Sequence, residues 1–265
     1  MKRTKMNNPK EIKFSTIEEM AKYLRLPRFT DYNNIIDPQL PFEENLMLIM
    51  KEQCIDTKAR SLDRRLKLSG LPLDKTFETF KLSKEFFPHL DINETIELRT
   101  CKFIDKKLDI IALGNSGRGK THLVASIGND AVRKGYSVIF KKTYNMIDEM
   151  REAKKEKNLR DYVKRLSKVN LLIIDEIGFD KYDDEASKHL FKIISERYEK
   201  ASTIYTSNYH FDEWKNFISD TQIAKAAIDR IIHHSILLNM SGDKSWRFEN
   251  AYSNLNKREK NINDD

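Results

Sequence analysis

The sequence predicts an α/β fold, an open parallel sheet of five strands covered by helices on both faces and preceded by a small helical domain. Three observations predict it. From about Thr76 onward, short apolar runs alternate with stretches of helical spacing, the pattern left by parallel strands and their crossover helices. One apolar run is joined to the helical stretch behind it by a cluster of glycines, in a chain with only 8 glycines among 265 residues. The earlier part of the chain shows helical spacing alone and ends in a stretch punctuated by Gly and Pro, residues 69–76.

In order along the chain, residues 15–18 (Ser-Thr-Ile-Glu) offer a capping box before a helical run over 17–26, which Pro27 is expected to stop. Pro41 opens a second run in which Leu46, Ile49 and Met50, then Ala59, Leu62 and Leu66, keep helical spacing with their apolar side inward. These make a helical domain over residues 1–75. Strands follow over 109–113, 137–141, 171–175, 202–206 and 236–240, with helices between them, including one over 184–200. The α/β domain occupies 76–250, and the polar, unpatterned residues 251–265 form a tail expected to fray.

The glycine cluster carries the chemistry. Gly114, Asn115, Ser116, Gly117, Arg118, Gly119, Lys120 and Thr121 spell G-x-x-x-x-G-K-T between a strand and a helix. That is the P-loop pattern with every fixed position filled, and it implies ATP with Mg²⁺. The loop N–H groups nest phosphate oxygens, Lys120 reaches the β/γ oxygens, and Thr121 offers a hydroxyl to the metal. The strand over 171–175 delivers Asp175 and Glu176 at its carboxyl end, the side on which open parallel sheets bind ligands. Asp175 suits Mg²⁺ as an oxygen ligand, and Glu176 suits the orientation and polarisation of an attacking water. Asn208, just past the fourth strand, can hydrogen-bond the γ-phosphate and that water. Arg230 lies in the helical run of Ile223, Ala227, Ile231 and His234, and its functional reading is an arginine finger for a neighbouring subunit.

The succession GNSGRGKT, LLIIDEIG, TSN and DRIIHHS resembles the AAA+ ATPases of the IstB group, transposition helpers of insertion sequences related to the DnaC and DnaI helicase loaders. The likeness extends over nearly the whole chain, from AKYLRLPRFTDY to GDKSWRFENA. It implies P-loop roles for Lys120 and Thr121, Mg²⁺ and water roles for Asp175 and Glu176, a sensor role for Asn208, and an Arg230 finger acting in trans within a homo-oligomer. Departures are modest: Asn115-Ser116 stand where a proline is common, and Trp246 replaces a more usual tyrosine. Few residues follow the fifth strand, so the helical lid that many AAA+ proteins carry is expected to be absent or reduced. Arg247 is the nearby candidate for that lid's nucleotide sensor.

Composition sets the remaining bounds. The formal charge of +7 favours a polyanion partner. Arg60, Arg64 and Lys67 share one helical face, and residues 151–168, with Lys154, Lys155 and Lys157, form a second basic stretch. Either can lie along DNA phosphates, whereas no zinc-finger spacing or aromatic platform supports base-specific readout. Cys54 and Cys101 form no close-spaced motif, the basic start has no signal-peptide core, and no segment approaches a membrane span. A reduced cytoplasmic protein is expected. The function these readings imply is an ATP-dependent DNA-binding ATPase that recruits or stimulates a transposase encoded by the same element. A helicase loader shares every site residue and differs in its partner, and a nucleotide-gated scaffold would need ATP but not Glu176. A small-molecule kinase is disfavoured, because Asp175, Glu176 and Asn208 suit water activation.

Overall fold

The structure, a computed structural model, describes residues 14–178, 182–214, 216–217 and 221–242. Arg247, Trp246 and the tail at 251–265 therefore lie outside the described residues. The chain divides into two compact units, residues 1–63 and 64–265, the division falling inside one long helix.

The first unit starts with α1 (Ile17–Leu24). Its cap is Thr16, whose hydroxyl accepts the Glu19 N–H at 3.2 Å while the Glu19 carboxylate accepts the Ser15 N–H at 2.7 Å. The helix ends two residues before the expected Leu26, because Arg25 adopts φ 59° and the Leu26 N–H turns back to the Ala21 carbonyl at 2.8 Å. Pro27 does not stop α1; it opens α2 (Pro27–Thr30) from the first helical position, where its missing N–H costs nothing. The long helix α3 (Phe42–Ser69) follows. Buried Ile49 and Gln53 face inward, and Gln53 accepts the Arg28 N–H at 3.0 Å. Ala59, expected on the buried side, is exposed, whereas Leu62 and Leu66 are half-buried.

In the second unit, α4 (Ile92–Glu97) and α5 (Lys102–Asp105) precede β1 (Asp109–Leu113), α6 (Lys120–Arg133), β2 (Val138–Lys142), α7 (Thr143–Lys155), α8 (Leu159–Lys168) and β3 (Leu171–Ile177). Then come α9 (Asp184–Arg197), β4 (Ser202–Ser207), α10 (Phe211–Trp214), α11 (Thr221–His233) and β5 (Ser235–Asn239). The sheet is the expected parallel one, with strand order β2-β3-β4-β1-β5. Strands β1 and β4 are buried along their whole length; β1 accordingly runs apolar from Ile110 to Leu113, whereas β4 is rich in buried hydroxyls. The edge strands β2 and β5 are half-exposed. Side chains of β1, β3 and β4, including Ile111, Leu172, Ile174 and Tyr205, form a core with Met146, Leu166, Leu190 and Ile193 from α7, α8 and α9. Strand β1 has the expected bounds, and the ends of the other four differ from the sequence reading by one or two residues, most at β3, which continues to Ile177. Among the described residues no helix is long and apolar enough to cross a membrane.

Candidate functional site

The site grows from the carboxyl ends of the strands. The chain leaves β1 at Leu113 and turns through Gly114, Gly117 and Gly119, the last two at φ 80°, a conformation L side chains rarely adopt. Gly119 is the N-cap of α6 and supplies no side-chain cap, so the first-turn N–H groups of that helix are left for a ligand. Lys120 is buried and curls back over the loop: its Nζ donates to the Gly114 carbonyl at 2.5 Å, the Asn115 carbonyl at 2.9 Å and Asn208 Oδ1 at 2.6 Å. These are neutral oxygens, and a phosphate oxygen is a stronger acceptor for an ammonium group. A cavity of about 170 Å³ opens here, lined by Ser116, Gly117, Gly119, Lys120, Thr121, Glu176 and Asn208 together with Lys75 and His122.

A local irregularity lets Glu176 line this cavity while Asp175 sits buried behind the cavity-lining Thr121. Neighbouring strand residues point to opposite faces, so a regular β3 would separate the two carboxylates. Between Ile174 and Ile177 the β3–β4 register slips by one residue, and Glu176 sits at φ 63° in that bulge. Its N–H is caught by Thr206 Oγ1 at 2.8 Å. Thr206 in turn donates its proton to Asp175 Oδ1 at 2.6 Å, and Thr121 Oγ1 lies 3.1 Å from both Asp175 oxygens. The Thr143 hydroxyl donates to the Asp175 carbonyl at 2.8 Å. Burial pushes the Asp175 carboxyl above the ordinary range, and the Thr206 hydroxyl bond works against that rise. A hydroxyl beside a buried carboxylate is an all-oxygen donor set suited to a hard cation. Glu176 instead forms an ion pair with Lys142 at 3.0 Å, which raises the lysine's pKa.

Thus Lys120, Thr121, Asp175, Glu176 and Asn208 come together as the sequence implied. Arg118 keeps its place in the loop, whose backbone N–H groups carry the expected phosphate role, while its side chain is 3% exposed and turned away from the cavity. Arg230 is elsewhere: it donates to Ser195 Oγ at 2.8 Å and lies 5.0 Å over the Phe191 ring, both on α9. Of the basic residues, Arg60, Arg64 and Lys67 are exposed, with Arg60 paired to Asp56 at 2.9 Å. In the second stretch, Lys154 pairs with Glu185 at 2.6 Å and Lys155 with Glu152 at 3.1 Å, while Lys157 follows α7 at φ 59°. Sequence reasoning missed Lys142, Thr143 and Thr206. All three stand at strand carboxyl ends, so applying to β2 and β4 the rule used for β3 would have found them.

The sequence model of the family described as IstB-like ATP binding protein matches residues 21–253. An insertion sequence IS5376 ATP-binding protein of Geobacillus stearothermophilus is 38% identical over 77% of this chain and 80% of its own length. An insertion sequence IS232 ATP-binding protein of Bacillus thuringiensis subsp. berliner is 31% identical over 92% of this chain and 95% of its own. Among solved structures, the replication initiator DnaA bound to AMPPCP and single-stranded DNA superposes with a TM-score of 0.57 at 24% identity. That match covers 71% of this chain and 56% of DnaA, and it shows a shared fold. With a family match running through both units and a P-loop, an Asp-Glu strand end and an Asn gathered at one cavity, the chain belongs to the IstB-like ATP binding proteins.

Proposed function

We propose that this protein is a Mg²⁺-dependent ATPase that binds DNA in its ATP-bound form and assists transposition. On this reading it assembles as a homo-oligomer on target DNA and recruits or stimulates the transposase encoded by the same insertion sequence. The observation that carries it is the convergence of Lys120, Thr121, Glu176 and Asn208 on one cavity at the head of α6, with Asp175 held against Thr121. Lys120 exchanges its carbonyl partners for phosphate oxygens, with the loop N–H groups completing the cradle. Thr121 and Asp175 hold Mg²⁺, which neutralises charge on the phosphates. Glu176 orients and polarises the attacking water, Asn208 turns its amide to the γ-phosphate, and Arg230 acts on the neighbouring subunit's nucleotide.

Insertion-sequence relatives over most of the chain support the transposition role against that of a helicase loader. A second reading, a nucleotide-gated scaffold with little hydrolysis, has the Lys142–Glu176 ion pair in its favour, since that pair occupies the carboxylate hydrolysis needs.

The DNA arm is tested by salt dependence. The exposed Arg60, Arg64 and Lys67 share one face of α3, and that face is assigned most of the pairing with phosphates. Each phosphate that goes without its cation lowers the slope of log K against log salt by about 0.9. The triple alanine variant of that face should be shallower by about two to three, and the Lys154, Lys155 and Lys157 variant by less than about one. Unchanged affinity and slope in the first variant would remove DNA binding from that helix. The trans role is tested by mixing: Arg230→Ala and Glu176→Gln proteins, each inactive alone, should recover partial ATPase together.

A further inference from the structure

One P-loop side chain points away from the cavity, and its surroundings are specific. Arg118 Nε donates to the Met240 carbonyl at 3.0 Å and Nη2 donates to the Phe86 carbonyl. The guanidinium lies 5.2 Å over the Phe87 ring. Two glycines record the same closeness from the other side. A Cβ on Gly114 would lie 2.7 Å from the Met240 carbonyl carbon and oxygen, and one on Gly242 would lie 2.7 Å from Arg118 Nη2. The Met240 N–H also donates to the Leu113 carbonyl at 2.7 Å. Residues 240–242, just past β5, therefore grip the loop at its first glycine and at Arg118.

We propose that Arg118 is a positioning residue for nucleotide binding, tying the P-loop to residues 240–242 and to Phe86 so that its N–H groups are already aimed at the phosphates. The proposal rests on the nucleotide reading of this site. A loop containing three glycines has a large conformational entropy to lose, and a ligand that must order it binds more weakly by that amount. A planar guanidinium can satisfy two carbonyls in different directions and still stack on a ring, which a lysine ammonium cannot do. Whatever shifts residues 240–242 then shifts the phosphate loop, so the chain beyond β5 is coupled to nucleotide affinity.

The test uses the full chain with Arg118→Met, which keeps the stem and loses the donors, Arg118→Lys, and Gly242→Ala, which crowds the guanidinium without deleting it. Arg197→Met is the control, because Arg197 is also a buried guanidinium bonded to carbonyls, at the far end of the sheet. Binding of a fluorescent ADP analogue, amide exchange without nucleotide, and thermal unfolding are measured. Charged hydrogen bonds of this kind imply that Arg118→Met weakens binding at least about ten-fold, with Arg118→Lys intermediate. Amides 114–119 and 240–242 should exchange faster together in the nucleotide-free protein. Arg197→Met should unfold at lower temperature yet bind the analogue as wild type does. If Arg118→Met does not fold, Gly242→Ala carries the same expectation. Wild-type affinity in folded Arg118→Met or Gly242→Ala, or equal weakening by Arg197→Met, overturns the proposal. Failure of the wild-type protein to bind the analogue would instead overturn the nucleotide reading, while the exchange measurement still decides whether Arg118 holds the loop.

Discussion

The two ends of the parallel sheet each bury a carboxylate and a cation, and they treat them differently. At the amino end, Asp109 Oδ1 takes the Thr203 N–H at 2.6 Å. Arg197, 1% exposed, spends its donors on Thr203 Oγ1 at 2.9 Å and on the carbonyls of Leu166, Ser167, Val169 and Ser202. That end is closed, and its charges join α8, α9 and β4. At the carboxyl end, Asp175 and Lys120 are also buried, but their hydrogen bonds run to hydroxyls, loop carbonyls and an amide around a cavity. Burial alone therefore does not mark a working charge. What distinguishes the two ends is whether the charged groups sit beside a cavity that a ligand can enter.

The widest separation expected between the ends is kinetic. Glu176→Gln should lower ATP turnover by roughly 10²- to 10⁴-fold, as for a lost general base, while leaving nucleotide binding and folding stability near wild type. Lys120→Ala should weaken binding itself. Arg197→Met should do the reverse, costing about 3–5 kcal/mol of stability because it strands several buried carbonyls, without a comparable change in affinity. Steady-state ATPase, nucleotide titration and urea unfolding on the three variants measure both axes. A stability loss in Glu176→Gln as large as that in Arg197→Met would erase the distinction.

Much of the second unit was legible because its signals are local. Short apolar runs marked β1 and β3, the alternation with helical stretches placed the other strands, and G-x-x-x-x-G-K-T fixed the loop with its flanking strand and helix. The ends of elements were less legible, since they depend on single conformations such as Arg25 at φ 59°, which no apolar pattern announces. At the site, sequence adjacency suggested that Asp175 and Glu176 act together, but strand geometry sends neighbours to opposite faces. Only the bulge, held by Thr206, reconciles the two. The turn of Arg118 was illegible for another reason: its partners Phe86 and Met240 are 32 and 122 residues away in the chain.

The amino end should also reveal itself through pH. Burial pushes the Asp109 carboxyl up to about 7 from 3.8, against the pull of the Thr203 N–H and of Arg197. The folded protein therefore keeps a proton that the unfolded chain releases over that interval. The resulting stability is fully present below the unfolded value and lost as pH rises through about 7. Asp109→Asn lacks this dependence, so its unfolding free energy should gain on wild type by an amount on the order of a few kcal/mol between about pH 4 and 8. Urea unfolding of both proteins across that range measures the difference. Parallel pH profiles would mean that Asp109 is ionised in the folded protein and that its partners compensate the charge.

The smallest expected effect lies at the working end, in the Lys142–Glu176 pair. Both side chains are partly exposed, 38% and 30%, and pairs of this kind contribute at most about 1 kcal/mol. Lys142→Met should therefore barely change stability. The pair nonetheless holds the carboxylate assigned to the attacking water, so Glu176 must leave Lys142, or share it, before it can accept a proton. Removing Lys142 removes that competition. Basal turnover should rise by a factor of up to about five, the factor corresponding to 1 kcal/mol, with nucleotide affinity unchanged. A fall in turnover would reverse the assignment, making Lys142 the group that aims Glu176 at the water. A double variant with Glu176→Gln separates these outcomes from an effect routed through Tyr144, whose ring lies 5.8 Å from the Lys142 ammonium. If Lys142 acts only through Glu176, the lysine substitution should change nothing once Glu176 is glutamine.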